Sequence, residues 1–453
     1  MTFAEALDYL LSLGYETLTI KLGLENTETL LVALGNPQEQ LPAVQIAGTN
    51  GKGSTAAFLD SICRASGIRV GLFTSPHLVS ITERIQIDGQ QVSEDQFAHL
   101  TRTVKQTAEE LVARGKLQTL PTFFEHITAI ALLAFRETEV ELAILETGLG
   151  GRLDSTTAAG AEIVAITPVA MDHQEYLGTT LQEIAGEKAA IIRPGTTAII
   201  APQEEAALEV IMRRCESVGV QPRLIDSCYR EQVQTGGGEA TADGRCIVTF
   251  DRDSARYENV TVALRGRHQS VNALTAIALA EALREHGFQI PKRAIVRGIE
   301  TAKHPGRLEI WKGSPRFLFD GAHNPAAARA LREYLDEFVK DPIVMIFGAM
   351  RDKALGEMTA ALFPQADRVI LTTLDNPRAA SIDALVAVVP EDFDQGRILR
   401  ASSVDEALQL ARTVTPIDGV VCVTGSLYLV GAAQQALRQQ AAAQTADSAS
   451  TAG

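Results

Sequence analysis

Residues 43–65, AVQIAGTNGKGSTAAFLDSICRA, pass from an apolar segment through a loop with three glycines into a helical pattern, and this junction restricts the fold more than any other stretch. An apolar strand, Ala43 to Ala47, that must turn at once into a helix beginning near Ser54 belongs in a parallel sheet covered by helices. Gly48, Gly51 and Gly53 lose more backbone entropy on folding than other residues would, and a plain strand-to-helix turn does not require three of them around one lysine. Backbone N–H groups at such a turn, together with a helix N-terminus, bind phosphate, with Lys52 available to terminal phosphates and Ser54 or Thr55 to Mg²⁺. The standard phosphate-loop spacing is not met: Ile46 stands where the first glycine should be, and Gly53 separates Lys52 from Ser54.

The same alternation continues downstream. STAAFLDSICRASG, RVGLFT, TFFEHITAIALLAFRE, VELAILETG and AEIVAITPV read as buried strands and helices in turn. Around 229–265 the texture changes to a glycine-rich stretch and two short alternating segments, RCIVTFD and NVTVAL, expected to form a small antiparallel insertion decorating the first domain. Pro305 and Gly306 break the pattern and place the main boundary near 300–308. DPIVMIFGAM, DRVILTTL and GVVCVTGSLYLVG then rebuild a second alternating unit. The expected fold is α/β: a phosphate-loop domain on a mainly parallel sheet over 1–303, then a smaller Rossmann-like α/β domain over 304–435. After about residue 436 the composition collapses toward Ala, Gln, Ser and Thr, and 436–453 is expected as a disordered tail.

Charge and cysteine usage exclude several function classes. Lys+Arg 41 against Asp+Glu 56 gives a net charge of −15, so nucleic acid and anionic membranes are not expected partners, and an anionic ligand needs a local site. Cys63, Cys215, Cys228, Cys246 and Cys422 are odd in number and show no Cys-x-x-Cys spacing, which supports neither a disulfide framework nor a zinc site and suits a reducing cytoplasm. The N-terminal residues carry acids and no basic leader, and no apolar run reaches about 18 residues, so neither export nor membrane anchoring is expected.

Further clusters carry chemistry. Glu146 ends the strand VELAIL, so its carboxylate sits at the carboxyl edge of the sheet and can supply one oxygen ligand to Mg²⁺; alone it equally suits an N-cap or an ion pair. Asp172 and His173 follow another strand, with Lys188 on the next helix. A lone histidine there is more often structural, and its standing as a ligand rests on its neighbours. Around the boundary lie His268, Gln269, Asn272, Arg307, Asp320, His323 and Asn324. These could contact a ligand held by the other domain, or could as well cap helices.

Taken in order, GTNGKGST, SPHLVSITERI, TFFEHIT, ETGLGGRLD, DHQEYLG, GEKA, HQSVNA, PGRLE and DGAHNP resemble the folylpolyglutamate synthase and dihydrofolate synthase family, a branch of the Mur ligase superfamily. The resemblance covers roughly residues 1–435, and GTNGKGS is that superfamily's own form of the phosphate loop, which accounts for the extra glycine. It implies an ATPase domain followed by a glutamate-ligase domain. It implies that Thr49, Asn50, Gly51, Lys52, Gly53, Ser54 and Thr55 hold ATP together with Asn272, Arg307 and Asp320. Ser54 and Glu146 would share one Mg²⁺, and His173 would bind a second. Lys188 matches a lysine carbamylated by CO₂, a change from cation to anion that the residue pattern alone does not suggest. Lys52, Lys188 and His323 are the implied catalytic residues. His77, Thr122, Phe124 and Asp154 are implied at the folate, where the Phe124 ring could stack on a flat heterocycle. Two positions depart from the family pattern: Thr157 stands where Asn is usual, and Ala354 follows Lys353 where an acid is usual, so no role is assigned to the Lys353 loop.

The resemblance implies ligation of L-glutamate to a folate through an acyl phosphate, with ATP and Mg²⁺ at two sites, in a cytoplasmic monomer whose partners are small-molecule substrates. Polyglutamylation of a reduced folate is the primary expectation, with dihydropteroate as an additional substrate. Closure about the 300–308 joint should gate turnover. Two alternatives stand beside it: a Mur-type ligase acting on a UDP-muramoyl substrate, for whose N-terminal domain the first 50 residues leave no room, and a catalytically silent ATP-binding regulatory module.

Overall fold

A computed structural model of the chain describes residues 1–14, 23–39, 41–225, 230–231, 240–252 and 255–450. Its first sheet has the order β4-β3-β2-β5-β1-β6-β7-β8. Those strands are β1 (Ala43–Ala47), β2 (Val70–Phe73), β3 (Ile85–Ile87), β4 (Gln90–Gln91), β5 (Leu142–Glu146), β6 (Ile163–Ile166), β7 (Thr197–Ile200) and β8 (Arg223–Leu224). From β2 to β8 all neighbours pair in parallel, and β3 and β4 add an antiparallel edge.

Side chains of period two face two different cores. Ala43, Ala47, Ala143, Leu145, Val164 and Ile166 pack on the helices Phe123–Glu137 and Leu181–Ala189. Val44, Ile46, Leu142, Ile144, Ile163 and Ala165 pack on Lys52–Ala65, His268–Glu285 and Lys292–Thr301. Helices on both faces explain why the strands read as continuous apolar runs. The exception, Gln45, is fully buried and donates its amide to Thr147, Thr156 and Thr157 at 3.2, 3.0 and 2.8 Å. Thr157 in turn donates to the Gly151 carbonyl at 2.7 Å, so the departure from Asn leaves its hydroxyl fully engaged.

The expected insertion contains β9 (Arg230–Glu231), β10 (Arg245–Arg252) and β11 (Ala255–Arg265), with β10 and β11 an antiparallel pair. The insertion packs into the first domain. Cys246, Val248, Phe250, Tyr257, Val260, Val262 and Leu264 are buried in the same core as helix His268–Glu285. Residues 229, 232–239 and 253–254 of that expectation lie outside the described residues.

The second large sheet has the order β12-β13-β17-β14-β15-β16, built from β12 (Glu309–Trp311), β13 (Arg316–Phe319), β14 (Ile343–Phe347), β15 (Arg368–Thr372), β16 (Ile398–Ala401) and β17 (Val420–Thr424). It is parallel apart from β12. The change of sheet falls between helix Lys292–Thr301 and Glu309, and the connection is tied to the second unit. Gly321 N–H donates to the Gly306 carbonyl at 2.9 Å, and Leu308 N–H to Asp320 at 3.0 Å.

The tail expected to be disordered from 436 is helical to Ser450, as part of helix Leu427–Ser450. Alanine and glutamine are good helix formers, and the first turns, with Leu429, Val430, Ala433 and Leu437 buried, spare the rest the cost of nucleation. This helix also touches the first unit. A Cβ added at Gly431 would lie 1.9 Å from the Leu78 carbonyl oxygen, so the two backbones meet with no side chain between them. Among the described residues, no helix is long and apolar enough to cross a membrane.

Candidate active site

The phosphate-binding loop leaves β1 at Gly48 and enters helix Lys52–Ala65 at Gly51, whose φ of 89° is left-handed. All three of its glycines are required by close approach, and Gly48 and Gly51 by a positive φ as well. Added Cβ atoms would lie 1.9 Å from Thr167 Oγ1 at Gly48, 2.3 Å from Asn272 Oδ1 at Gly51 and 2.8 Å from His304 Nε2 at Gly53. Gly51→Ala is therefore expected to weaken ATP binding at least about tenfold, because a left-handed alanine costs about 1–2 kcal/mol and must also displace the Asn272 amide. Titration calorimetry would check this, and unchanged affinity would contradict it.

Lys52 folds back over the loop and donates to the Gly48 and Thr49 carbonyls at 3.2 and 3.1 Å. Burial lowers its pKa, opposed by the nearby Glu146 and Asp172 carboxylates. Glu146, at the end of β5, is buried and accepts from Ser75 N–H at 3.2 Å. Burial raises its pKa, against the pull of Lys52. Ser54 accepts from Gln269 Nε2 at 3.3 Å, and Asn272 donates to Gln269 Oε1 at 2.9 Å, so the helix His268–Glu285 braces the loop. Lys188 reaches the loop from the opposite side, donating to the Gly48 carbonyl at 2.8 Å. Burial, with Lys52 nearby, brings its pKa down to about 7.

One cavity of about 480 Å³ collects these groups. Thr49 through Ser54, Glu146, His173, Lys188 and Asn272 line it from the first unit, and Arg307, Asp320 and His323 line it beyond the joint. Thr122, Phe124 and Asp154 form a further wall. Thr122 caps helix Phe123–Glu137, and Asp154 accepts from the Leu149 and Thr156 N–H groups at 2.8 and 3.1 Å. Two expected residues do not line the cavity. Thr55 is fully buried behind the helix start, its hydroxyl without a hydrogen-bond partner. His77 accepts from Arg84 Nε at 2.9 Å, while Ser75 and Pro76 take the place at the wall.

The second unit contributes more than the sequence suggested. Asp320 is buried and accepts from the Leu308 and Ala322 N–H groups, both at 3.0 Å, which fixes the joint as well as presenting a carboxylate to the cavity. His323 is buried enough to bring its pKa to about 4, and Nδ1 faces the Gly321 carbonyl at 2.8 Å. Burial likewise brings His173 to about 3, despite Asp172. Lys353, given no role from sequence, lines the same cavity together with Arg378, Ser426 and Tyr428. They follow the carboxyl ends of β14, β15 and β17, the position that singled out Glu146, so the rule that found one could have found the others.

The donors suit a hard cation in part. Among the described residues no group of three or more His, Cys, Asp or Glu side chains gathers as a metal cage. Glu146 and Ser54 offer oxygen ligands beside the phosphate loop, and Mg²⁺ characteristically completes its shell with phosphate oxygens and water. His173 and an unmodified Lys188 offer nitrogens only, which do not suit Mg²⁺ unless Lys188 carries a carboxylate.

Comparison with known proteins matches this geometry. The Mur ligase middle domain model matches residues 46–280, and the Mur ligase glutamate ligase domain model matches residues 306–427. A probable bifunctional folylpolyglutamate synthase/dihydropteroate synthase of Halobacterium salinarum is 37% identical over 96% of this chain, and the chain spans about half the length of that relative, 51%. The dihydrofolate synthase/folylpolyglutamate synthase of Bacillus subtilis is 33% identical over 92% of this chain and 96% of its own. The solved structure of Mycobacterium tuberculosis folylpolyglutamate synthase complexed with ADP superposes with a TM-score of 0.88 at 31% identity, covering 96% of this chain and 97% of that one. With both domain models matched in sequence and a full-length relative above 30% identity, the chain belongs to the folylpolyglutamate synthase/dihydrofolate synthase family of Mur ligases.

Proposed function

We propose that this protein is an ATP-dependent ligase that adds L-glutamate to a reduced folate, and also to dihydropteroate, acting as a cytoplasmic monomer. The observation that carries the reading is the convergence of Lys52, Glu146 and Lys188 with Arg307 and His323 on one cavity between a phosphate loop and a glutamate-ligase unit. The two-domain division near residues 303–304 belongs to the same reading.

The folate enters along Thr122, Phe124 and Asp154, with its ring against Phe124 and its carboxylate toward the phosphate loop. That carboxylate oxygen forms a bond to the γ-phosphorus of ATP as the bond to the β-phosphate oxygen breaks, giving an acyl phosphate and ADP. The glutamate amine, deprotonated, then attacks the acyl carbon, and phosphate leaves as the amide forms. Lys52 and Arg307 bear the charge that develops on the transferring group, while Asn272 and Asp320 position the nucleotide. Such transfer needs placement and charge compensation more than a protein nucleophile. Ser54 and Glu146 would hold one Mg²⁺, and His173 with carbamylated Lys188 a second. The ions supply neutralisation of phosphate charge.

The test is ADP release from ATP and Mg²⁺, run with L-glutamate and either dihydropteroate or a tetrahydrofolate monoglutamate. Release with both, dependent on glutamate, is the expected result. Release with tetrahydrofolate alone would restrict the enzyme to polyglutamylation. A folded protein that binds ATP and is silent with both would overturn the ligase reading.

A further inference from the structure

Asp172 is the point at which loops from both units meet. It follows β6, and its Oδ1 accepts from Lys353 Nζ at 2.6 Å and from His173 N–H at 2.9 Å. Its Oδ2 accepts from Asn324 Nδ2 at 3.2 Å and lies 3.6 Å from His323 Nε2. Asn324 continues the chain of contacts to the phosphate loop, donating to Asn50 Oδ1 at 3.0 Å and accepting from Asn50 Nδ2 at 3.4 Å. Lys353 thus crosses from the loop after β14 in the second unit to the first. Both its side chain and that of Asp172 are only 7% exposed.

A buried ion pair of this kind is a poor source of net stability, since an apolar contact of the same volume does as well, but it is directional. Its partners cannot slide apart without leaving a largely buried charge unpaired. The Asp172 and Lys353 pair therefore selects one mutual arrangement of four loops: the phosphate loop, the loop after β6, the His323–Asn324 loop and the loop after β14.

We propose that Lys353 is a positioning residue that, through Asp172, holds the phosphate loop and the His323–Asn324 loop in the geometry where the amine substrate meets the activated carboxyl group. The inference rests on the ligase reading. It assigns a function to a loop that the departure at Ala354 had left without one. The ammonium acts on the arrangement of the units, so its loss should appear in use of the second substrate rather than in capture of the nucleotide.

The experiment compares Lys353→Met, Lys353→Arg and Asp172→Asn in the full chain, measuring kcat, KM for glutamate, ATP Kd and thermal midpoint. Lys353→Met should lower kcat/KM for glutamate at least about tenfold while ATP Kd changes less than about threefold. Lys353→Arg should recover most of the loss. Asp172→Asn should reproduce it, and the double variant should be little worse than the worse single one, as expected for two residues acting as a unit. Wild-type kinetics in Lys353→Met, additive losses, or ATP affinity falling in step with kcat/KM would each overturn the proposal. Unfolding of both single variants would also overturn it, marking the pair as structural only. A wild-type protein without glutamate-dependent ADP release would refute the ligase reading itself, a result distinct from all of these.

Discussion

Lys52→Ala should lower glutamate-dependent ADP release about a hundred- to a thousandfold, the range found when a preorganised donor to developing charge is removed. The lysine is half-buried in the loop and its ammonium is held by the Gly48 and Thr49 carbonyls, so it reaches a phosphate with little reorganisation. Alanine leaves the Gly48 carbonyl its bond from Lys188 and frees only that of Thr49, beside the cavity where water can satisfy it, so the fold should persist with a thermal midpoint close to wild type. Steady-state ADP release and thermal unfolding measured together would decide the matter. A residual rate within about tenfold of wild type would show that Lys52 contributes no specific transition-state charge.

Depletion of CO₂ should have the second large effect, costing most of the activity, with recovery on adding it back. Only a neutral amine attacks CO₂, and Lys188 is suited to this because burial and the adjacent Lys52 bring its pKa down to about 7. The fraction of neutral amine is then about a tenth at pH 6 and about nine tenths at pH 8. At fixed dissolved CO₂, reactivation should therefore be about tenfold faster at pH 8 than at pH 6 and should level off above it. The direction follows from the sign of the group: raising pH removes the proton that blocks attack. An ordinary lysine would instead keep gaining about tenfold in rate per pH unit throughout this range. Activity indifferent to CO₂ would remove the carbamylated lysine from the mechanism.

Much of the site was legible in the sequence because its residues sit at strand ends, where period-two apolar runs stop and a polar residue or glycine follows. Ala43–Ala47 coincides with the expected strand, and Glu146 closes β5 as read. What was not legible depended on contacts between distant segments. Nothing local marks Lys353 as the partner of Asp172, 181 residues away in sequence. His304 is likewise unremarkable in TAKHPGRLE, yet it packs beside Gly53 and explains why that position tolerates no side chain. The β10–β11 hairpin alternates as a half-exposed sheet does, and its inward residues complete a core shared with three helices, which the alternation alone does not reveal. Composition alone does not show that the tail is helical. Alanine and glutamine cannot build a core, but they extend a helix that is already anchored.

The bare backbone contact between Gly431 and Leu78 has a mechanical corollary. Gly431 has no side chain to yield there, while the Leu78 side chain packs beside it into the second unit's core. Main-chain atoms already in contact cannot press closer, so the two segments cannot be compressed at this point. A small angular displacement there becomes a longer stroke farther along the interface, so the stopping point of any closing motion is set by van der Waals radii of the main chain.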